Sequence, residues 1–456
     1  MENVFSRGAV AASLLLALLP LSAQAKVSPE EAAKLGIEGT ELTPAGAVRA
    51  GNADGTIPAW SGGLPQKDVP KGKWLDDPYA DDKPLFTITA QNYQKYADKL
   101  TIGQKAMFER HPGYKMNIYP TRRSHSNKKY IYEAAIANAS RAELTETRWD
   151  YKHAINTWAF PIPKDGYEAV LNFATKPFPS VFRWNNTTVV TSNGDFQTNK
   201  ITEEFVTDWS KEGMNPDEFT GDKDVGYFLQ SVVAPAKVAG SVILIHIVFH
   251  WDQHDMIAWS YNPGQRRVRR APQIRYDNPK TGADGLATSD QLGMYGGKID
   301  RYNWKLVGKK EIYIPYNSYK LHTDKVKIAD IIQKEHINQD LARYELHRVW
   351  QVEGDLLPDT SHIYKKRVFF MDEDSWQIVL MDHYDKRDQL WRFSEGHALN
   401  HYDIQHTAPT ADVHYDLQSG RYLVIGLDNE DAPPDYTFTA TADRYSPDRL
   451  RGEGVR

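Results

Sequence analysis

The chain has 456 residues, a formal net charge of −5 and no cysteine. Without cysteine there is no disulfide, no thiol catalysis, no Cys-ligated zinc or iron–sulfur site and no acylated Cys of a lipoprotein. The slightly acidic balance gives no overall attraction to nucleic acid. The 25 Tyr, 12 Trp and 16 Phe favour strands and suit surfaces that bind sugars or lipids.

Residues 1–25 read as a cleavable secretory signal. Arg7 and the α-amino group precede an apolar run, 9–21, and Ser22-Ala23-Gln24-Ala25 supplies an A-x-A cleavage pattern. The run is shorter than the about 18–20 residues of a membrane span. A cut after Ala25 leaves Lys26 first, so the expected mature chain is a soluble periplasmic protein and not a lipoprotein. About 430 mature residues can build a conventional core.

Residues 26–85 read as an extended N-terminal arm. It opens with a short helix over 29–36, capped by Ser28 with Pro29 at its first position. Its turn formers cluster in 51–63, where Ile57 and Trp60 are the expected anchors. Residues 87–111 read as one helix, with Thr89 as cap and Tyr93, Tyr96 and Leu100 at helical spacing, stopped by Pro112-Gly113. Residues 130–144 form a second helical candidate.

Strands follow. Residues 242–249 alternate, with Ile243, Ile245, Ile247 and Phe249 on one face and His246 on the other. Residues 259–268 read as a hairpin around Pro263-Gly264, and 302–316 as two runs split near Gly308. Residues 365–371 and 376–384 form a hairpin around Asp372-Glu373-Asp374, with Trp376, Ile378 and Leu380 on its cleaner apolar face. Residues 413–425 make a last hairpin around Gln418-Ser419-Gly420, and 427–456 read as a loose polar C-terminal tail. Short turns between strands imply antiparallel pairing. The expected class is α+β, with one large curved antiparallel sheet over 86–426 and helices early in the chain.

His246, His250 and His254 recur every four residues, but on a strand that spacing is about 13 Å, too far to share a metal. His397, His401, His406 and His414, with Asp403 and Asp412, lie in a turn-like segment whose geometry cannot be read. Arg266, Arg267, Arg269 and Arg270 form a basic cluster. They suit the phosphate or carboxylate of a head group, or equally a charged edge that discourages strand addition. G-x-S-x-G, H-E-x-x-H, P-loop and Rossmann patterns are absent. No catalytic residue, cofactor or metal is therefore assigned. The apolar strand faces must be covered by helices or by a ligand, and incomplete cover leaves a cleft for an acyl chain. The candidate lining is Ile243, Ile245, Ile247, Phe249, Trp259, Trp350, Ile378, Leu380 and Trp391. A fully packed core is the competing reading.

The stretch Gly51-Asn52-Ala53-Asp54-Gly55-Thr56-Ile57-Pro58-Ala59-Trp60-Ser61-Gly62-Gly63 resembles the N-terminal signature of domain-of-unknown-function family 1329, exported Gram-negative proteins similar to outer-membrane lipoprotein-sorting proteins. Asp284-Gly285, Asp290-Gln291-Leu292, His347-Arg348-Val349-Trp350, Tyr364-Lys365-Lys366-Arg367 and Leu390-Trp391-Arg392 resemble later segments of the family. The resemblance implies a fold like the carrier LolA and the receptor LolB: an incomplete barrel lidded by helices around a cavity for acyl chains. The chain is about twice as long as those carriers. Three functions follow. The preferred one is a periplasmic carrier or chaperone of a lipid or other hydrophobic molecule. The second is an envelope protein that docks an outer-membrane protein or an inner-membrane transporter through Trp60 and Trp74. The third is a hydrolase using carboxylates and the 397–414 region.

Overall fold

The computed structural model describes residues 27–215, 224–248, 252, 254, 256–271 and 274–454. The expected signal segment, its cut after Ala25, and also Phe249 and His250 lie outside the described residues.

After α1 (Pro29–Ala32) the chain runs without a long element to β1 (Phe86–Thr89), a 3-10 stretch (Tyr93–Lys99), α2 (Ile102–Arg110) and β2 (Lys115–Ile118). The helix α3 (Lys129–Arg141), a small ribbon of β3 (Glu143–Leu144) and β4 (Tyr151–Lys152), and α4 (Gly166–Ala174) come next. Then follow β5 (Val181–Trp184), β6 (Thr187–Val190), β7 (Phe196–Thr207), β8 (Asp224–Ala234), β9 (Val242–Val248), β10 (Ile257–Asn262), β11 (Arg267–Arg270) and β12 (Tyr302–Pro315). The short helix α5 (Ile328–Ile331) precedes β13 (Tyr344–Leu356), β14 (Lys366–Asp372), β15 (Ile378–Tyr384), β16 (Leu390–His401), β17 (His406–Asp416) and β18 (Arg421–Ile425), and α6 (Leu450–Glu453) ends the chain.

Sixteen of these strands form one sheet, in the order β1-β2-β13-β14-β15-β16-β17-β18-β6-β7-β8-β9-β10-β11, with β12 on β13 and β5 on β7. Every pairing is antiparallel except a single bridge between Tyr344 and Ile118. The two ends of the path do not pair with each other, so the sheet is open. Strand β7 carries β6 on its first half and β5 on its second, both on one edge. There the sheet divides into a body, β1 to β18, and a wing, β7 to β11.

Both faces of the body are buried, which explains the unbroken apolar runs Val368-Phe369-Phe370-Met371 and Ile378-Val379-Leu380-Met381. One face packs with α3, α4, Trp376 and the segment around Met294 to Ile299. The other packs with the 3-10 stretch, α2 and α5. Helices therefore pack on both faces of the body. The expected common face of Trp376, Ile378 and Leu380 is corrected. Phe370 pairs Leu380 while Met371 pairs Ile378, so Val379 is an extra residue in a bulge. The bulge reverses the side-chain parity and sends Ile378 to one core and Leu380 to the other.

Three further expectations change. Residues 87–111 are not one helix. Leu100 is extended, and Thr101 starts α2 afresh: its hydroxyl accepts from Gln104 N while its own N–H donates to the Gln104 side chain. The runs in 302–316 form one continuous strand, with Gly308 at φ +130 absorbing a bulge. The C-terminal segment is not loose. Tyr445 and Leu450 are buried with Val242, Leu244 and Tyr261 against the outer face of the wing.

The arm lies on the body through its signature stretch. Trp60 is buried edge-on to Tyr132, and its Nε1 donates to the His125 carbonyl (3.3 Å). Gly63 has φ +76 and lies where a Cβ would stand 2.0 Å from the His125 oxygen, so no other residue fits. Arg348 donates to the Ala50 carbonyl (3.0 Å), and Trp376 Nε1 donates to that of Ala45 (2.9 Å).

Candidate functional site

A cavity of about 210 Å³ lies between the inner face of the wing, the end of α4 and the segment 274–297. Strand alternation builds its apolar wall. Ile245 and Ile247 of β9, Phe228 of β8 and Phe205 of β7 point inward, while Leu244, Leu229 and Val206 point out to the C-terminal segment. Phe178 closes the wall beyond α4, 4.5 Å from Phe205 between ring centroids.

One end of the cavity is charged. Lys176, Arg183, Asn185 and Asp412 line it. Arg183 is paired with Glu203 (2.8 Å), which also accepts from Asn185 (2.7 Å) and Gln230 (2.9 Å). Lys176 has no such partner: among the described residues its Nζ meets the Gln377 side-chain carbonyl and the ring of Phe173, and no carboxylate. Asp412 accepts from Met294 N through one oxygen (3.1 Å), while the other oxygen is buried with no donor. Desolvation pushes Lys176 down to about 7 and Asp412 up to about 6; each charge partly restores the other.

The sequence candidates divide. Ile245 and Ile247 line the cavity, and Ile243 packs beside them. Trp259 is corrected: it pairs Leu244 and so faces outward, edge-on to His246 at 4.8 Å. Ile378 and Leu380 are core. Trp350 stacks on Trp376 (5.7 Å) under Lys309. Trp391 donates to Asp416 (3.1 Å) at the far side of the body. Arg266, Arg267, Arg269 and Arg270 are exposed on the β10–β11 hairpin, at the free edge of the sheet and not on the cavity.

Among the described residues the histidine groups hold no shared site. His246 is held by Asp224 (3.0 Å) and the Tyr445 carbonyl (2.8 Å), while His254 is exposed. His397, His401, His406 and His414 are not in a turn; they are buried in β16 and β17, where His401 pairs His406 directly. Burial holds His401, His406 and His414 well below the ordinary imidazole range. A different trio, His347, Asp372 and Asp374, brings ligand atoms within 4.8 Å of one another. Its members are already engaged: Arg123 grips Asp374 at 2.6 and 2.9 Å, and His347 sits between Glu345 (3.1 Å) and Asp372 (3.6 Å). The two carboxylates raise His347 to about 9, so an imidazolium fills the place of a cation.

Sequence reasoning missed the polar interior. Arg367 is wholly buried among Tyr295, Tyr302 and Tyr364, each within 5.1–5.3 Å, and pairs with Asp290 (2.8 Å). Tyr364 donates to Gln291 (3.3 Å) and accepts from Arg392 (2.9 Å), which also reaches the Gly285 carbonyl (2.7 Å). Gly285, Asp290, Gln291, Tyr364, Arg367 and Arg392 come from three stretches of the chain that carried part of the resemblance, and here they meet.

The fold and cavity define an open antiparallel sheet that encloses an apolar pocket with a charged end. Residues 87–451 match the family described as proteins of unknown function (DUF1329), and the chain belongs to it. An uncharacterized protein of Pseudomonas aeruginosa is 48% identical over 448 residues, 97% of each chain. Among solved structures, a DUF1329 family protein from Desulfovibrio piger shares 15% identity, covering 60% of this chain and 91% of its own, with a TM-score of 0.40. A LolA superfamily protein from Nitrosomonas europaea shares 12%, covering 63% and 99%, with a TM-score of 0.37.

Proposed function

We propose that the mature protein is a periplasmic carrier that holds a hydrophobic molecule non-covalently between wing and body. The observation that carries this reading is the cavity itself. It is walled by Phe205, Phe228, Ile245, Ile247 and Phe178, where a packed core would have filled the space. The signal-like residues 1–25 support export, and no helix of the described residues is long and apolar enough to cross a membrane.

Size limits the cargo. An apolar cavity of about 150 Å³ already takes a benzene-sized guest. A cavity of about 210 Å³ suits one short chain or a small ring system. Burial contributes about 0.8 kcal/mol per CH₂. Some eight to ten carbons then give roughly 6–8 kcal/mol before ordering costs, which places affinity in the micromolar range or weaker.

The docking alternative rested on Trp60 and Trp74. Trp60 is buried, so it is not offered to a partner, while Trp74 is half-buried with one edge contact to His322 (4.9 Å). The hydrolase alternative rested on a histidine region that is built into the sheet. The test is binding of N-phenyl-1-naphthylamine, a neutral apolar dye. The wild type should enhance its emission, and Ile245→Trp, which fills the cavity, should weaken binding about tenfold or more. A wild type that leaves the dye's emission unchanged would overturn the reading.

A further inference from the structure

At one corner of the wing two hairpins end side by side and carry a positive charge that their surroundings do not answer. Arg266, Arg267, Arg269 and Arg270 are all exposed, and among the described residues no carboxylate pairs with any of them. Lys237, exposed in the turn between β8 and β9, has none either. That turn lies against the β10–β11 turn: a Cβ on Gly240 would stand 3.4 Å from that of Pro263. The β10–β11 turn is held in shape. Asn262 Oδ1 accepts from Gly264 N (2.9 Å) and Gln265 N (3.2 Å), and the Asn262 carbonyl accepts from Arg266 N (2.8 Å). The short helix α6 packs beside β10 and β11, and its one carboxylate, Glu453, is already engaged by Arg444 (3.8 Å).

Apolar surface accompanies the charge. Val268 stands exposed between Arg267 and Arg269, and Val233 is exposed just before the β8–β9 turn. The register sets Val268 opposite Tyr261 and Arg270 opposite Trp259, whose half-buried ring has the Arg270 guanidinium 5.9 Å from its centroid. Long basic side chains, an aromatic ring and apolar groups mixed in one exposed patch suit the boundary between water and lipid.

Strand alternation decides between partners. Arg267 and Arg269 leave one face of β11 and Arg270 leaves the other, so a rigid surface laid on either face of the sheet meets only part of the cluster. A strand added to β11 would meet the arginines, but β9, β10 and β11 would lie between it and Val233. A bilayer meets the whole corner end-on, because its head groups are mobile and form a broad surface. We propose that this corner of the wing docks on an anionic phospholipid bilayer. Ile274, which follows β11, lines the cavity, so the docked strand leads into the cavity wall. The inference goes beyond the carrier reading and does not require it.

The test is co-sedimentation, at physiological ionic strength, with vesicles of phosphatidylglycerol or of phosphatidylcholine. The chain's net charge of −5 opposes an anionic surface, so binding there reports a local patch and not the bulk charge. The wild type should bind phosphatidylglycerol and not phosphatidylcholine, and raised salt should release it. Each basic side chain near such a surface strengthens binding about fivefold, so Arg266→Gln with Arg270→Gln should weaken it about tenfold or more. Arg266→Lys with Arg270→Lys should stay within about threefold of the wild type, because a diffuse surface reads charge and not a planar fork. Arg267 and Arg269 stay in place in both variants, which keeps the edge charged. A wild type that binds neither vesicle, or both alike, overturns the inference and leaves dye binding in the cavity untouched. Undiminished binding by the glutamine variant overturns it too. Tighter binding of a glutamate-rich peptide than of phosphatidylglycerol vesicles would assign the corner to an acidic protein and overturn the bilayer assignment. The comparison of vesicles needs no variant, so a misfolded variant leaves the inference open to refutation.

Discussion

Trp376 shows how one side chain can hold a backbone in an unfavourable place. It sits at φ +59, a region that bulky residues avoid, and it is wholly buried in the turn between β14 and β15. Its ring stacks on Trp350, and its Nε1 anchors the Ala45 carbonyl. Truncation should cost about 3–5 kcal/mol of stability. The order of two variants is the sharper prediction. In a strand or helix Ala is better than Gly, but here Trp376→Gly should be about 1 kcal/mol more stable than Trp376→Ala, because only glycine relieves the φ. Urea unfolding of the pair decides it, and the reverse order would mean the turn relaxes when the ring is lost. Asp382 makes a second residue-scale case. It accepts from Gly103 N (3.1 Å) at the start of α2, and burial pushes its carboxyl up from 3.8 to about 7. A folded-state value above the unfolded one favours the fold while the proton is on. That contribution is full below about pH 4 and is lost as pH rises through about 7. Asp382→Asn keeps the acceptor and removes the titration. The variant should equal or exceed the wild type at pH 8 by about 1–3 kcal/mol, with the gap closing towards pH 5. Parallel stability curves for the two proteins would refute this.

At the scale of elements, the arm and the turn Asp372-Glu373-Asp374 work as one unit. Arg123 joins them: it grips Asp374 on one side and donates to the Arg49 (3.2 Å) and Pro58 (3.4 Å) carbonyls on the other. Glu373 accepts from Lys309 (2.8 Å) and from Val48 N (3.3 Å). Removing one partner of a buried pair leaves a charge without compensation. Arg123→Met should therefore cost about 3–5 kcal/mol and expose 46–63 to limited proteolysis, with the first cuts in that stretch. An arm that stays resistant in a destabilised protein would separate the pair's role from docking. Little of this was legible in the sequence. Arg123 and Asp374 are 251 positions apart, and nothing periodic links them. The turn formers of the signature could be read, and so could Trp60 as an anchor, because a large aromatic among glycines has few other uses. The face of β9 was legible because that strand has no bulge up to Val248. The β14–β15 hairpin misled because one extra residue, Val379, shifts parity without leaving a mark in composition. Lys176 was missed because it sits in an unremarkable local context before Pro177, and Asp412 was read only as a neighbour of the 397–414 histidines; only the fold brings the two to one cavity.

The whole molecule is a body covered on both faces and a wing that shares its inner face with a cavity. That division explains why the apolar strand faces suited both a cleft and a packed core: both are present, in different parts of one sheet. It also explains the C-terminal segment, whose polar composition hides two residues, Tyr445 and Leu450, that seal the outside of the wing. Deleting residues 442–454 should uncover Val242, Leu244 and Tyr261 and lower the melting temperature, while the body's buried network stays intact. The free end of the sheet has a colloidal consequence. Strand β11 offers unpaired backbone along one edge, and it carries Arg267, Arg269 and Arg270, with Arg266 in the turn before it. Two copies meeting edge to edge would bring these guanidinium groups together with no carboxylate of the same strand between them. The repulsion acts over roughly 8 Å at physiological ionic strength and fades as salt rises. Four arginine side chains thus work against edge-to-edge pairing at this strand. Replacing Arg267 and Arg269 with threonine should turn the same edge adhesive, visible as a concentration-dependent rise in light scattering that the wild type shows only at high salt.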